Sequence, residues 1–164
     1  MINSVREILN KIQAAKTSED LEDWIRIAGD YIAKASFTVY NSGYPEIDAM
    51  VVSLEEAEEL KVALLAALKR SSEPRYVDQI LQCLMMTKDS KLKLLYVSYL
   101  EQYLRQLKDC NGVVYSALNA LSRLDEDVYE RNERGGSSQS LIEVDQNIRQ
   151  AHRYLTNEGI KFSW

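Results

Sequence analysis

Proline, glycine, cysteine and histidine are all scarce in this chain. Its 164 residues hold two prolines, six glycines, two cysteines and one histidine. Few prolines and glycines mean few obligatory breaks, which favours long helices over short strands joined by tight turns. A single histidine, His152, cannot supply a multi-histidine metal site, and no Cys-x-x-Cys or Glu-x-x-His spacing occurs. Gly-x-Ser-x-Gly is missing too, so a nucleophile elbow with His152 as base has no partner motif. Gly135-Gly136-Ser137-Ser138 lacks the lysine and the spacing of a phosphate-binding loop and reads as a linker. Nowhere do 18 apolar residues run together, which excludes a membrane-spanning helix. The segment Met1 to Glu7 has no basic stretch followed by an apolar one, so no secretory signal is expected. Cys83 and Cys110 each sit in or beside an apolar helical segment. A disulfide between them is possible, but two reduced thiols in a cytoplasmic protein is the simpler expectation.

What remains is ordinary for a globular chain: 46% hydrophobic and 27% charged residues, with length for one domain over 1–164. Charge is spread unevenly. Residues 1–60 carry 5 Lys/Arg against 12 Asp/Glu, whereas residues 61–164 carry 15 against 13. An acidic N-terminal third opposes direct nucleic-acid binding and suits a basic protein partner. Solvated helix faces with no partner are the alternative.

Helix starts are legible. Ser4-Val5-Arg6-Glu7 and Ser53-Leu54-Glu55-Glu56 both read as capping boxes. Thr17-Ser18-Glu19-Asp20 opens a helix with Leu21, Trp24, Ile25, Ala28 and Ile32 on one stripe. Asn41-Ser42-Gly43-Tyr44-Pro45 is the clearest break in the first half. The helix after Ser53 carries Leu54, Ala57, Leu60, Leu64, Leu65 and Leu68. Pro74 marks the first turn of the next, and Asp89 caps a long helix to about Lys108. A further helix spans Val113 to Leu124, Asp125 is read as the cap of a short piece to Arg134, and Gly159 stops a final helix from Leu141.

Ser53 to Asp89 is 36 residues, and Asp89 to Asp125 is again 36. Each block holds a helix, a turn and a second helix, as in a solenoid of helical hairpins. A compact bundle with accidental spacing is the alternative. Three segments carry a resemblance: Val62-Ala63-Leu64-Leu65-Ala66-Ala67-Leu68, Ile80-Leu81-Gln82-Cys83-Leu84 after Ser72-Glu73-Pro74, and Val113 to Leu121. Residues 53–124 resemble HEAT-type repeats, which implies an all-α stack and a partner-binding role. The expected fold is therefore all-α: a hairpin at 1–40, repeat-like hairpins at 53–124 and a capping helix at 140–158. The acidic N-terminal third is also similar in style to small helical immunity proteins of bacterial toxin systems. So is the end of the chain, Asn147 to Leu155 closing on Gly159-Ile160-Lys161-Phe162-Ser163-Trp164.

Two sets of residues are candidates for binding. Glu19, Asp20, Glu22, Asp23, Glu55, Glu56, Glu58 and Glu59 form acidic runs, which either complement helix N-termini or face a basic partner. Tyr96, Tyr99 and Tyr103 form a stripe at i, i+3 and i+7, either as part of a broad buried face or on an exposed groove. The expected function is a non-enzymatic, cofactor-free, cytoplasmic protein-binding module that neutralises a basic partner such as a toxin domain. A structural adaptor that self-associates through its hairpins is the alternative.

Overall fold

The computed structural model describes residues 4–15, 18–106, 111–129 and 144–160, and among these the chain is helical with no strand. It divides into two compact units, Met1–Thr87 and Lys88–Trp164, and the division falls beside the predicted cap Asp89.

In the first unit, α1 (Val5–Ala14) starts where the Ser4 hydroxyl accepts the Glu7 amide at 3.3 Å. It buries Val5, Ile8 and Ile12. Helix α2 (Ser18–Ser36) follows, and its predicted cap Thr17 lies outside the described residues. Helix α4 (Leu54–Arg70) opens on a complete capping box: the Glu56 amide donates to Ser53 Oγ at 3.1 Å, and the Ser53 amide donates to Glu56 Oε2 at 2.9 Å. Helix α5 (Pro74–Leu84) has its proline in the first turn, where no amide hydrogen is missed, and ends in a 3₁₀ turn at Met85–Thr87.

Helix α2 packs on α1, α4 and α5, while α1 also packs on α4 and α4 on α5. Helices α2 and α5 run the same way, since Glu22 meets Arg75 near their starts and Gly29 meets Cys83 further along. Cys83 Sγ lies against α2 and donates to the Ile25 carbonyl at 3.2 Å, an approach that Gly29 permits by having no side chain.

The predicted break at residues 41–45 is a built loop. It contains a one-turn helix α3 (Pro45–Asp48) and is tied along one face of α2. Arg26 stacks over Tyr44 at 4.8 Å, Asp30 accepts from Tyr40 Oη at 2.6 Å, and Lys34 donates to the Asp48 carbonyl. The Ser42 amide and hydroxyl each donate to Asp48 Oδ1 at 2.8 Å, and these bonds hold the Asp48 carboxyl below its usual pKa.

The second unit begins with Asp89, whose carboxylate accepts the Lys91 amide at 3.0 Å and caps a 3₁₀ turn, Ser90–Leu92, that runs into α6 (Lys93–Leu104). The sequence predicted this helix to about Lys108, but its last helical residue is Leu104. Helices α7 (Asn111–Arg123) and α8 (Val144–Asn157) both pack on α6 and on each other. Asp125 is not the start of a helix. It has φ +63° and closes α7: its amide donates to the Ser122 carbonyl and the Glu126 amide to the Leu121 carbonyl. The segment 126–129 is non-helical, and the rest of the predicted short piece lies outside the described residues. Gly159, with φ +78°, ends α8 by the same pair of bonds, to Thr156 and Leu155.

Those two ends aim at one place. Glu126 and Glu158 reach Lys93 Nζ at 2.9 Å and 3.1 Å, and Tyr154 Oη donates to Glu126 at 3.0 Å. Leu64, Leu68, Ile80, Leu81, Leu84, Leu100, Leu104, Leu118 and Leu121, assigned to apolar stripes by spacing alone, are all buried. Leu54, placed on the same stripe, is instead 75% exposed, because it precedes the first turn that faces α1 and α2.

Candidate functional site

The acidic residues separate into three environments. Glu22 and Glu56 serve the fold: Glu22 pairs with Arg75 and accepts from Gln79, and Glu56 completes the α4 cap. Glu19, Asp20 and Asp23 line a cleft of about 400 Å³ beside the end of α1, together with Lys11, Ala14, Ala15 and Trp24. Glu58 and Glu59 border a second cleft of about 380 Å³ on the other side of α1, lined by Leu9, Gln13, Val62, Ala63, Ala66 and Arg70. Glu55 is exposed one turn earlier on α4. Helix α1 is thus flanked by carboxylates from two stretches of sequence more than thirty residues apart.

The first cleft owes its shape to the α1–α2 hairpin. Acidic residues in the first turns of α2 are favoured by its N-terminal dipole, and the hairpin sets them beside the last turn of α1. Trp24 follows Asp20 by four positions, so the two stand on the same side of α2, with Asp23 at the edge of the cleft. The spacing placed Trp24 among core residues, but it is only half-buried, and Lys11 lies over its ring with the ammonium 5.5 Å from the centroid. The cleft therefore holds three carboxylates and an aromatic face that already carries one cation. Lys11 and Trp24 are the residues that sequence reasoning missed. Trp24 was legible only as part of an apolar stripe, and Lys11 enters by tertiary packing.

The tyrosine stripe does not form an exposed groove. Tyr96 and Tyr103 are buried, and only Tyr99, half-buried, reaches solvent, with its ring stacked on Tyr103 at 6.1 Å. Helix α6 turns this stripe inward because both α7 and α8 pack on it. Burial pushes the Tyr96 hydroxyl well above the usual tyrosine range. The buried-face account of the stripe fits these positions; a partner surface made of all three tyrosines does not.

Cys83 is buried and free, and its thiol is pushed up to about 12, first by burial and then by the nearby charge of Asp30. A thiol so raised is a poor nucleophile. Cys110 lies outside the described residues. No cluster of three or more His, Cys, Asp or Glu placed to hold a metal ion occurs among the described residues, and no helix there is long and apolar enough to cross a membrane. Comparison with protein-family models, with curated proteins and with solved structures gives no match to this chain.

Proposed function

We propose that this chain is a non-enzymatic protein-binding module, a HEAT-like arrangement of helical hairpins that captures a basic protein surface and neutralises it, as an immunity protein neutralises a toxin domain. The observation that carries this reading is the cleft in which Glu19, Asp20 and Asp23 face Trp24. Carboxylates supply long-range attraction for a Lys or Arg side chain, and an indole face supplies a cation–π seat. Lys11 occupies that seat from within the chain. An incoming arginine, planar and less strongly hydrated than an ammonium, is the better occupant and displaces it.

An oligo-arginine peptide serves as probe, with Trp24 fluorescence as readout in a Trp164→Phe background. Binding is expected to weaken steeply with added salt and to fall about tenfold or more in Glu19→Lys/Asp23→Lys. Salt-independent binding, or equal binding by that variant, removes the cleft from the mechanism. Neutralisation is tested by co-expression with the toxin-like product of an adjacent gene. Growth restored by the wild type and not by the double variant supports the role; growth restored by neither overturns it.

A further inference from the structure

The outward face of α4 carries charges in a fixed order along its length. Seven residues divide the helix surface away from the core, beginning at Glu55. Glu58 and Glu59 come next, then Val62 and Ala66, then Lys69 and Arg70, and all are exposed. At 3.6 residues per turn these positions fall within about a third of the helix circumference, opposite Leu60, Leu64, Ala67 and Leu68 in the core. The helix dipole favours acid at the start of a helix and base at its end. It does not account for the centre, where Val62 is 57% exposed beside Ala66 and the apolar wall of Leu9.

We infer that this face is a self-association surface on which α4 of a second copy lies antiparallel. The pattern is its own complement about position 64. Glu58 and Glu59 stand six and five positions before that point, and Lys69 and Arg70 stand five and six positions after it. Reversing the helix about a two-fold axis there sets Glu58 against Arg70 of the second copy and Glu59 against its Lys69. Val62 then meets Ala66 of the second copy at the centre, and each contact occurs twice, as an isologous interface requires. Alanine at 66, exposed at the centre of the stripe, lets the two backbones approach. Arg70 also donates to the Ile12 carbonyl at 3.3 Å and Glu58 also pairs with Lys61, so both groups share their charge between the chain's own partners and the second copy. A parallel arrangement sets acid against acid and base against base, so only the antiparallel one is complementary.

One helix pair buries less than the roughly 1,200–2,000 Å² of a standard interface, so the dimer is weak and populated only at high concentration. Sedimentation velocity of the full chain from about 10 µM to about 1 mM covers the expected range. The wild type is expected to shift from monomer to dimer, and less so as salt rises. Glu58→Lys/Glu59→Lys, and separately Lys69→Glu/Arg70→Glu, are each expected to weaken association about tenfold or more, since one sets base against base at every charged facing pair and the other acid against acid. Mixing the two variants is expected to restore a dimer, now a heterodimer, because every facing pair is again opposite in sign. Lys69→Glu alone, which leaves the Arg70–Ile12 bond in place, serves as the milder acidic partner. A wild type that stays monomeric across the range, or variants whose mixture fails to associate, overturns the inference. The surface is separate from the Glu19–Asp23 cleft, so loss of peptide binding at that cleft and loss of dimerisation are read in different variants.

Discussion

The two units are both small bundles of helices, yet their interiors differ in kind. In Met1–Thr87 the buried side chains of the described residues are apolar or tyrosine, and a glycine lets a cysteine lie directly against the facing helix. Among the described residues of Lys88–Trp164 three polar side chains, Ser116, Asn147 and Gln150, are buried as well, and a lysine gathers two helix ends. Apolar packing is non-directional and follows from a stripe at the right period. Polar burial demands particular partners at particular distances. One unit is thus specified by pattern, the other partly by pairing.

Truncation tests this contrast with the largest expected effect. Leu64→Ala in the first unit should cost about 2–5 kcal/mol in denaturant unfolding, the range for a fully buried leucine. A loss below about 1 kcal/mol would show that α4 does not anchor the first core.

Gly29→Ala comes next and concerns shape rather than volume lost. A Cβ at Gly29 would stand 2.5 Å from Cys83 Sγ and 3.2 Å from its Cβ, so the Cys83 side chain or the two helices must shift. The expected cost is about 1–3 kcal/mol, as for other overpacked cores. Cys83→Ala should be far less harmful in the Gly29→Ala background than in the wild type. Strict additivity of the two changes would place the strain elsewhere.

The smallest effect is expected at Lys93→Met, and it should be confined to the second unit. Hydrogen bonds that Lys93 donates to Glu126 and then to Glu158 raise its pKa. A raised cationic group stabilises fully below its unfolded value, about 10.4, and the contribution fades as pH rises through the higher folded value. The substitution should cost about 1–2 kcal/mol at neutral pH, given partial exposure. It should also erase the alkaline loss of protection in α8 amide exchange; an unchanged alkaline profile would detach the cluster from α8.

What was legible in the sequence follows the same division. Ser53-Leu54-Glu55-Glu56 announces its capping box because every partner lies within four residues. The leucines at 64, 68, 118 and 121 declare their burial by period. Gly159 announces a stop because only glycine takes that backbone conformation freely. Asp125 takes the same left-handed conformation without being glycine, and an aspartate before a polar stretch also looks like a cap, so its role was misread. The tyrosine stripe was visible as a stripe, but periodicity does not say whether a face meets solvent or two other helices. The acidic residues were visible as runs. Their division depended on tertiary packing for most of them: Glu22 meets Arg75, 53 positions on, and the Glu58–Glu59 cleft is completed by Leu9 and Gln13 of α1, whereas the place of Glu56 in a capping box was local.

The Gly29–Cys83 contact also gives the first unit an internal clock. A thiol held at about 12 between two helices is sealed from alkylating reagents while α2 and α5 stay together. When they part, its acidity returns to that of free cysteine and reaction becomes fast. In a Cys110→Ser background, the labelling rate of Cys83 by such a reagent therefore reports how often this helix pair opens, without any denaturant.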